Sequence, residues 1–125
     1  MHPHVNLIVG NEHRFVEPMA MVEHFVRREC KIPARDVATL LCAYRGRQQI
    51  LDDIWDAAEN ARKRKAPLVV FYYGHGYKGG FSPNGGDIAY ADVADVMTDV
   101  GFLFVNASCY SGSSIDDFKK NGLIP

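Results

Sequence analysis

"LVVFYYGHGYKGG" at Leu68–Gly80 and "FLFVNASCYSGS" at Phe102–Ser113 decide how this chain folds. Each is an apolar, β-branched and aromatic run that stops at small residues and one reactive side chain, His75 in the first and Cys109 in the second. Leu68 to Tyr73 shows no clear alternation, as expected of a strand covered on both faces, and Phe102 to Val105 forms a further strand. Two strands that each deliver a reactive group at their carboxyl end are the feature to explain.

The flanking sequence alternates in kind. Val5–Val9 is a short apolar run closed by Gly10, which predicts the first strand. Pro18 suits a first helical turn, and Met19, Val22, Phe25 and Val26 repeat at helical spacing to about Cys30. Val37–Ala43 predicts a second strand. After Arg45-Gly46, Ile50, Ile54, Ala57, Ala58 and Ala61 share one helix face that ends near Lys65. Gly74–Gly86 is rich in Gly, Pro and Asn and is expected to be loop. Val93, Val96, Met97 and Val100 give another helical stripe, closed by Gly101, and Ser113–Asn121 suits a final helix. Strands alternating with helices predict one α/β domain over residues 1–125, with a mostly parallel sheet of four strands between helical layers.

Composition narrows the function classes. The chain has 125 residues, a net charge of −1 and no run long enough to span a membrane, so neither nucleic acid nor membrane is an expected partner. "RKRK" at Arg62–Lys65 is expected to close a helix, where cations complement the dipole. Cys30, Cys42 and Cys109 show no zinc-type spacing and make an odd count, which points to a reducing, cytoplasmic setting without a disulfide framework or metal site. Cys30 and Cys42 are expected to fill core, as are Trp55, Tyr72 and Tyr73, the tyrosines also forming site wall. Asp52 and Asp53 are expected to face solvent, and Asp87 and Asp92 to serve turns or caps.

In an open parallel sheet, ligands bind beyond the carboxyl ends of the strands. Were the strands before His75 and Cys109 neighbours, a thiol nucleophile and its imidazole partner would face one another there. The N–H groups of Gly76 and Cys109 are candidates for an oxyanion hole.

Tyr72-Tyr73-Gly74-His75-Gly76 and Ala107-Ser108-Cys109-Tyr110-Ser111-Gly112 resemble the paired motifs of the caspase–legumain clan of cysteine peptidases, in which His-Gly follows one apolar strand and an Ala- or Ser-Cys pair follows another. The resemblance implies a caspase-like three-layer fold and a catalytic pair, His75 and Cys109, that cleaves peptide bonds through an acyl-enzyme without a cofactor. Many basic-cleaving relatives carry Asp two residues before the cysteine, and legumains Glu; Ala107 stands there in this chain. Residues after the first strand help to bind the P1 side chain in this clan. In the matching "GNEHRF", Arg14 is the best cation for an acidic P1 residue, with Asn11 and His13 as further candidates, so Asp or Asn at P1 is expected. Relatives continue past the cysteine with further strands. A large-subunit-like portion completed by a small-subunit partner, or a homo-oligomer, is therefore expected. A catalytically silent interaction module is the competing expectation. A GxSxG esterase, a phosphate-binding loop and a phospho-receiver domain each lack their defining residues.

Overall fold

The computed structural model describes residues 2–84 and 86–123. Four strands, β1 (His4–Val9), β2 (Val37–Leu41), β3 (Leu68–Tyr73) and β7 (Phe102–Ala107), form a parallel sheet in the order β2-β1-β3-β7. Helix α1 (Val16–Arg28) links β1 to β2, and α2 (Arg47–Arg64) links β2 to β3. Between β3 and β7 lie three short strands, β4 (His75–Tyr77), β5 (Gly80–Ser82) and β6 (Ile88–Ala89), followed by α3 (Tyr90–Val96); α4 (Ser113–Lys120) comes after β7. Among the described residues no helix is long and apolar enough to cross a membrane.

β1 is central, and alternation sorts its side chains between two cores. Val5, Leu7 and Val9 pack with Phe15, Met19 and Val26 beside α1. Ile8 points to the other layer, where Ile50, Ile54, Ala58 and Ala61 of α2 meet Leu68, Val70 and Tyr72 of β3 and Val93 of α3. The sheet is thus an α/β sandwich with helices on both faces.

Coverage is unequal. On β3, Leu68, Val70 and Tyr72 are buried, but Val69, Phe71 and Tyr73 on the α1 side are only half-buried. The imbalance grows at the edge strand β7, where Leu103 is 58% and Val105 36% exposed. The expectation of full burial on both faces therefore fails for β3, and β7 is barer still, because α1 packs over β1 and β2.

The segment Gly74–Gly86 is not all loop. β4, β5 and β6 form an antiparallel sheet, turned at Lys78-Gly79, where Gly79 has φ +98°, a conformation open to glycine. Phe81 and Ile88 anchor this hairpin in the core, and the Phe81 ring lies 4.5 Å from that of Tyr72 and 5.8 Å from that of Tyr90. Strands of two and three residues with one apolar anchor each carry no periodic signal, so turn-forming residues dominate their sequence.

Smaller corrections have equally local causes. The second strand stops at Leu41, and Cys42 begins a helical turn that buries its thiol, pushed up to about 12 chiefly by desolvation. Cys30 lies beyond the end of α1 and is exposed. Trp55 is 45% exposed on α2, with the Arg62 guanidinium 5.3 Å above its ring. Asp53 faces solvent only in part: it is half-buried, and burial pushes its carboxyl up. "RKRK" does close a helix. Arg62 donates to the carbonyls of Val96 and Thr98 at 2.8 and 2.6 Å, while Lys65 takes the left-handed conformation that ends α2. Asp92 lies in the first turn of α3 and pairs with Arg47 at 2.5 Å.

Candidate functional site

β3 and β7 are hydrogen-bonded neighbours, in a register that sets Tyr73 opposite Ala107. His75 and Cys109 each lie two residues further along, so the parallel pairing carries both past the same end of the sheet. They line one open cleft of about 490 Å³ together with Arg14, Phe15, Tyr73 and Ala107. β1 supplies the other wall, because its register places Val9 beside Tyr73 and the chain then turns through Asn11–Phe15.

The histidine is held on several sides. The Tyr72 hydroxyl donates to the His75 carbonyl at 2.6 Å, which fixes the backbone at the exit of β3. The imidazole meets the Phe15 ring edge-on, with centroids 5.3 Å apart. Nε2 of His75 hydrogen-bonds to Oε1 of Glu12. That bond is the main reason the Glu12 carboxyl is held below the ordinary carboxylate range, and the neighbouring charge of Arg14 adds to it.

The cysteine loop is braced from beneath. Asn106 donates to the buried Tyr90 hydroxyl at 2.7 Å and accepts from the Ser108 hydroxyl at 2.6 Å. Tyr110, directly after Cys109, adopts φ +57°, and its carbonyl accepts from the Ser113 hydroxyl at 2.8 Å and the Ser113 amide at 3.0 Å. The Ser113 hydroxyl also accepts from the Gly79 amide at 3.0 Å, tying the β4–β5 hairpin to the start of α4. The result is an exposed, free thiol on a constrained turn.

Gly76 explains itself by proximity. A Cβ there would fall 2.4 Å from the Cys109 carbonyl oxygen and 2.6 Å from the Ser108 hydroxyl, so only glycine lets β4 lie against the cysteine loop. The Gly76 backbone therefore lies close against the Cys109 carbonyl and the Ser108 side chain.

The remaining sequence candidates divide. Ala107 lines the cleft as an exposed methyl at the end of β7, and Arg14 lines it too. Arg14 is not a free cation: its Nε pairs with Glu12 Oε2 at 2.6 Å, and its guanidinium lies 4.8 Å over the Phe15 ring. Asn11 and His13 are exposed on the adjoining turn and do not line the cleft. Sequence reasoning passed over Glu12, Asn106 and Ser108. Glu12 had a readable signal, being the one carboxylate in the turn after β1. Its importance shows only once β1 is known to lie beside β3. Among the described residues no group of three or more His, Cys, Asp or Glu side chains is placed to hold a metal ion. Chemically, the cleft offers an accessible thiol, an oriented imidazole and a carboxylate behind it.

No family model matches the chain, and no curated protein shows significant similarity to it.

Proposed function

We propose that this chain is a cysteine endopeptidase of the caspase–legumain type, or the large-subunit-like part of one, acting through Cys109 and His75 without a cofactor in a reducing, cytoplasmic setting. The observation that carries the reading is the Tyr73–Ala107 register, which aligns His75 and Cys109 at one end of the sheet. The contact of Gly76 with the Cys109 backbone supports it further.

The chemistry follows from these groups. His75 accepts the proton of the Cys109 thiol, and the thiolate attacks the carbonyl carbon of the scissile peptide. The carbonyl π electrons move onto oxygen, where the amides of Gly76 and Cys109 receive the developing charge. As the tetrahedral species collapses, the C–N bond breaks and the His75 imidazolium gives its proton to the departing amine. The thioester left on Cys109 is then hydrolysed. His75 takes a proton from the attacking water, the C–S bond breaks, and the proton returns to sulfur. Asp or Asn is proposed at P1, facing Arg14. Because Glu12 already pairs with Arg14, the uncharged Asn is favoured of the two.

A second reading has its own observation. β7 is an edge strand with exposed Leu103 and Val105, and parallel sheets are ordinarily covered on both faces. That bare strand suits a protein-binding surface, as expected of an interaction module whose catalysis is weak or absent, although a small-subunit-like partner or a second copy completing a working peptidase would join the same edge.

Hydrolysis of peptides that vary only at P1 separates the readings. Alone or with the partner that completes its sheet, the chain is expected to cleave after Asn, more slowly after Asp and least after Arg, with all cleavage lost in Cys109→Ala. Cleavage that persists in Cys109→Ala would contradict the proposal. Tight binding of a protein partner by both forms, with no cleavage by either, would favour the interaction module.

A further inference from the structure

We infer that Glu12 is a positioning residue for His75: its carboxylate takes the Nε2–H of the imidazole and leaves Nδ1 as the nitrogen that exchanges a proton with Cys109. This inference rests on the Cys–His reading above and adds the group that sets the direction of proton transfer.

Both carboxylate oxygens of Glu12 are engaged, Oε1 by His75 Nε2 and Oε2 by Arg14 Nε at 2.6 Å. Arg14 is in turn laid over Phe15, and Phe15 also packs edge-on against the imidazole. Glu12, Arg14, Phe15 and His75 therefore form a closed ring of contacts at the mouth of the cleft. The carboxylate cannot swing away without breaking the ion pair as well as the hydrogen bond.

The tautomer follows from donor and acceptor counting. An ionised carboxylate only accepts, so the nitrogen bonded to it must carry the proton. Glu12 is ionised well below neutral pH, since its carboxyl lies below the ordinary carboxylate range. A neutral imidazole carries one N–H, so with Nε2 protonated the Nδ1 lone pair is bare and able to accept from a thiol. After transfer, the imidazolium lies against the Glu12 anion. Arg14 opposes part of that stabilisation by like charge, but it is also what holds the anion in place. Without Glu12 both tautomers become accessible, and the Nδ1–H form cannot take a proton at that nitrogen.

The test combines ring ¹⁵N spectroscopy of histidine-labelled full-length protein at mildly alkaline pH with the rate of Cys109 alkylation by iodoacetamide. His75→Ala identifies the His75 signals. The parent protein is expected to show a protonated Nε2 and a bare Nδ1. Glu12→Gln, whose amide donates as readily as it accepts, is expected to shift the signals toward a tautomer mixture. The same variant should slow Cys109 alkylation on the order of 10²-fold, the scale of losing a correctly oriented base. Glu12→Asp should recover part of both. A protonated Nδ1 in the parent, or a tautomer and rate unchanged in Glu12→Gln, would overturn the inference. A tautomer that depends on Glu12 while His75→Ala leaves the Cys109 rate unaltered would support the positioning role and overturn the peptidase reading, so the two failures are distinct.

Discussion

His75→Ala is expected to slow acylation of Cys109 by a peptidyl acyloxymethyl ketone by roughly 10²–10⁴-fold at neutral pH, the range that a positioned acid or base contributes. The thiolate is the nucleophile, and an unassisted thiol of ordinary pKa, about 8.5, is mostly protonated at pH 7. A structural role for His75 predicts something different. Its ring is 45% exposed, hydrogen-bonded to an exposed carboxylate and touching the core only at the edge of Phe15, so its removal takes little from the buried cores. The thermal midpoint of His75→Ala should therefore stay close to that of the parent while the rate falls. Raising the pH until the thiol ionises unaided should narrow the gap. A rate loss that tracks lost stability, or one that is independent of pH, would mean that the histidine props up the loop and moves no proton.

Tyr90→Ala is expected to have the largest effect on stability, about 3–5 kcal/mol, the usual cost of deleting a fully buried aromatic side chain. Tyr90 is fully buried, with its ring centroid 5.8 Å from both Phe81 and Phe118 and 6.4 Å from Phe104. It joins the hairpin, α4 and the edge strand in one aromatic cluster. Its hydroxyl accepts from Asn106, so truncation also leaves a half-buried amide unpaired. Tyr90→Phe isolates that bond and should cost about 1 kcal/mol. Urea unfolding measures both. Against a typical total of about 5–15 kcal/mol, the alanine variant loses a large share of the fold. A loss below about 1 kcal/mol for Tyr90→Ala would mean that the hairpin and α4 contribute little to the cooperative core.

The four main strands and helices α1 and α2 were legible, because each carries five or more residues with a uniform apolar or periodic pattern, whereas α3 ends at Val96, short of the Val100 that its apolar stripe reaches. The juxtaposition of His75 and Cys109 was legible as a condition, since both follow strands at the same end, and the observed β3–β7 pairing meets that condition. What escaped depended on contacts distant in sequence. Glu12 gains its role from a strand pairing 63 residues away along the chain from His75. Arg14 looked like a free cation because charge pairing within a turn depends on which way the turn faces, and here it faces Glu12. Asn106 and Ser108 sit inside an apolar strand and its exit, and only the depth of Tyr90 beneath them reveals a hydrogen-bonded brace. Cys30 and Trp55 are apolar enough to read as core, yet Cys30 lies past the end of α1 and Trp55 sits on an exposed face of α2.

Cys30 nevertheless provides an internal control, since it and Cys109 are both exposed free thiols on one molecule. The most direct test of the proposed site is to treat the chain with a substoichiometric peptidyl acyloxymethyl ketone bearing Asn at P1 and to map the modified residue by mass spectrometry. Iodoacetamide serves as the unselective comparison. Modification of Cys109 in strong preference to Cys30 by the peptidyl reagent, with both residues modified by iodoacetamide, is the predicted result. Equal modification of the two cysteines by the peptidyl reagent, or none of Cys109 while iodoacetamide still reaches it, would contradict a peptidase site at the end of β3 and β7.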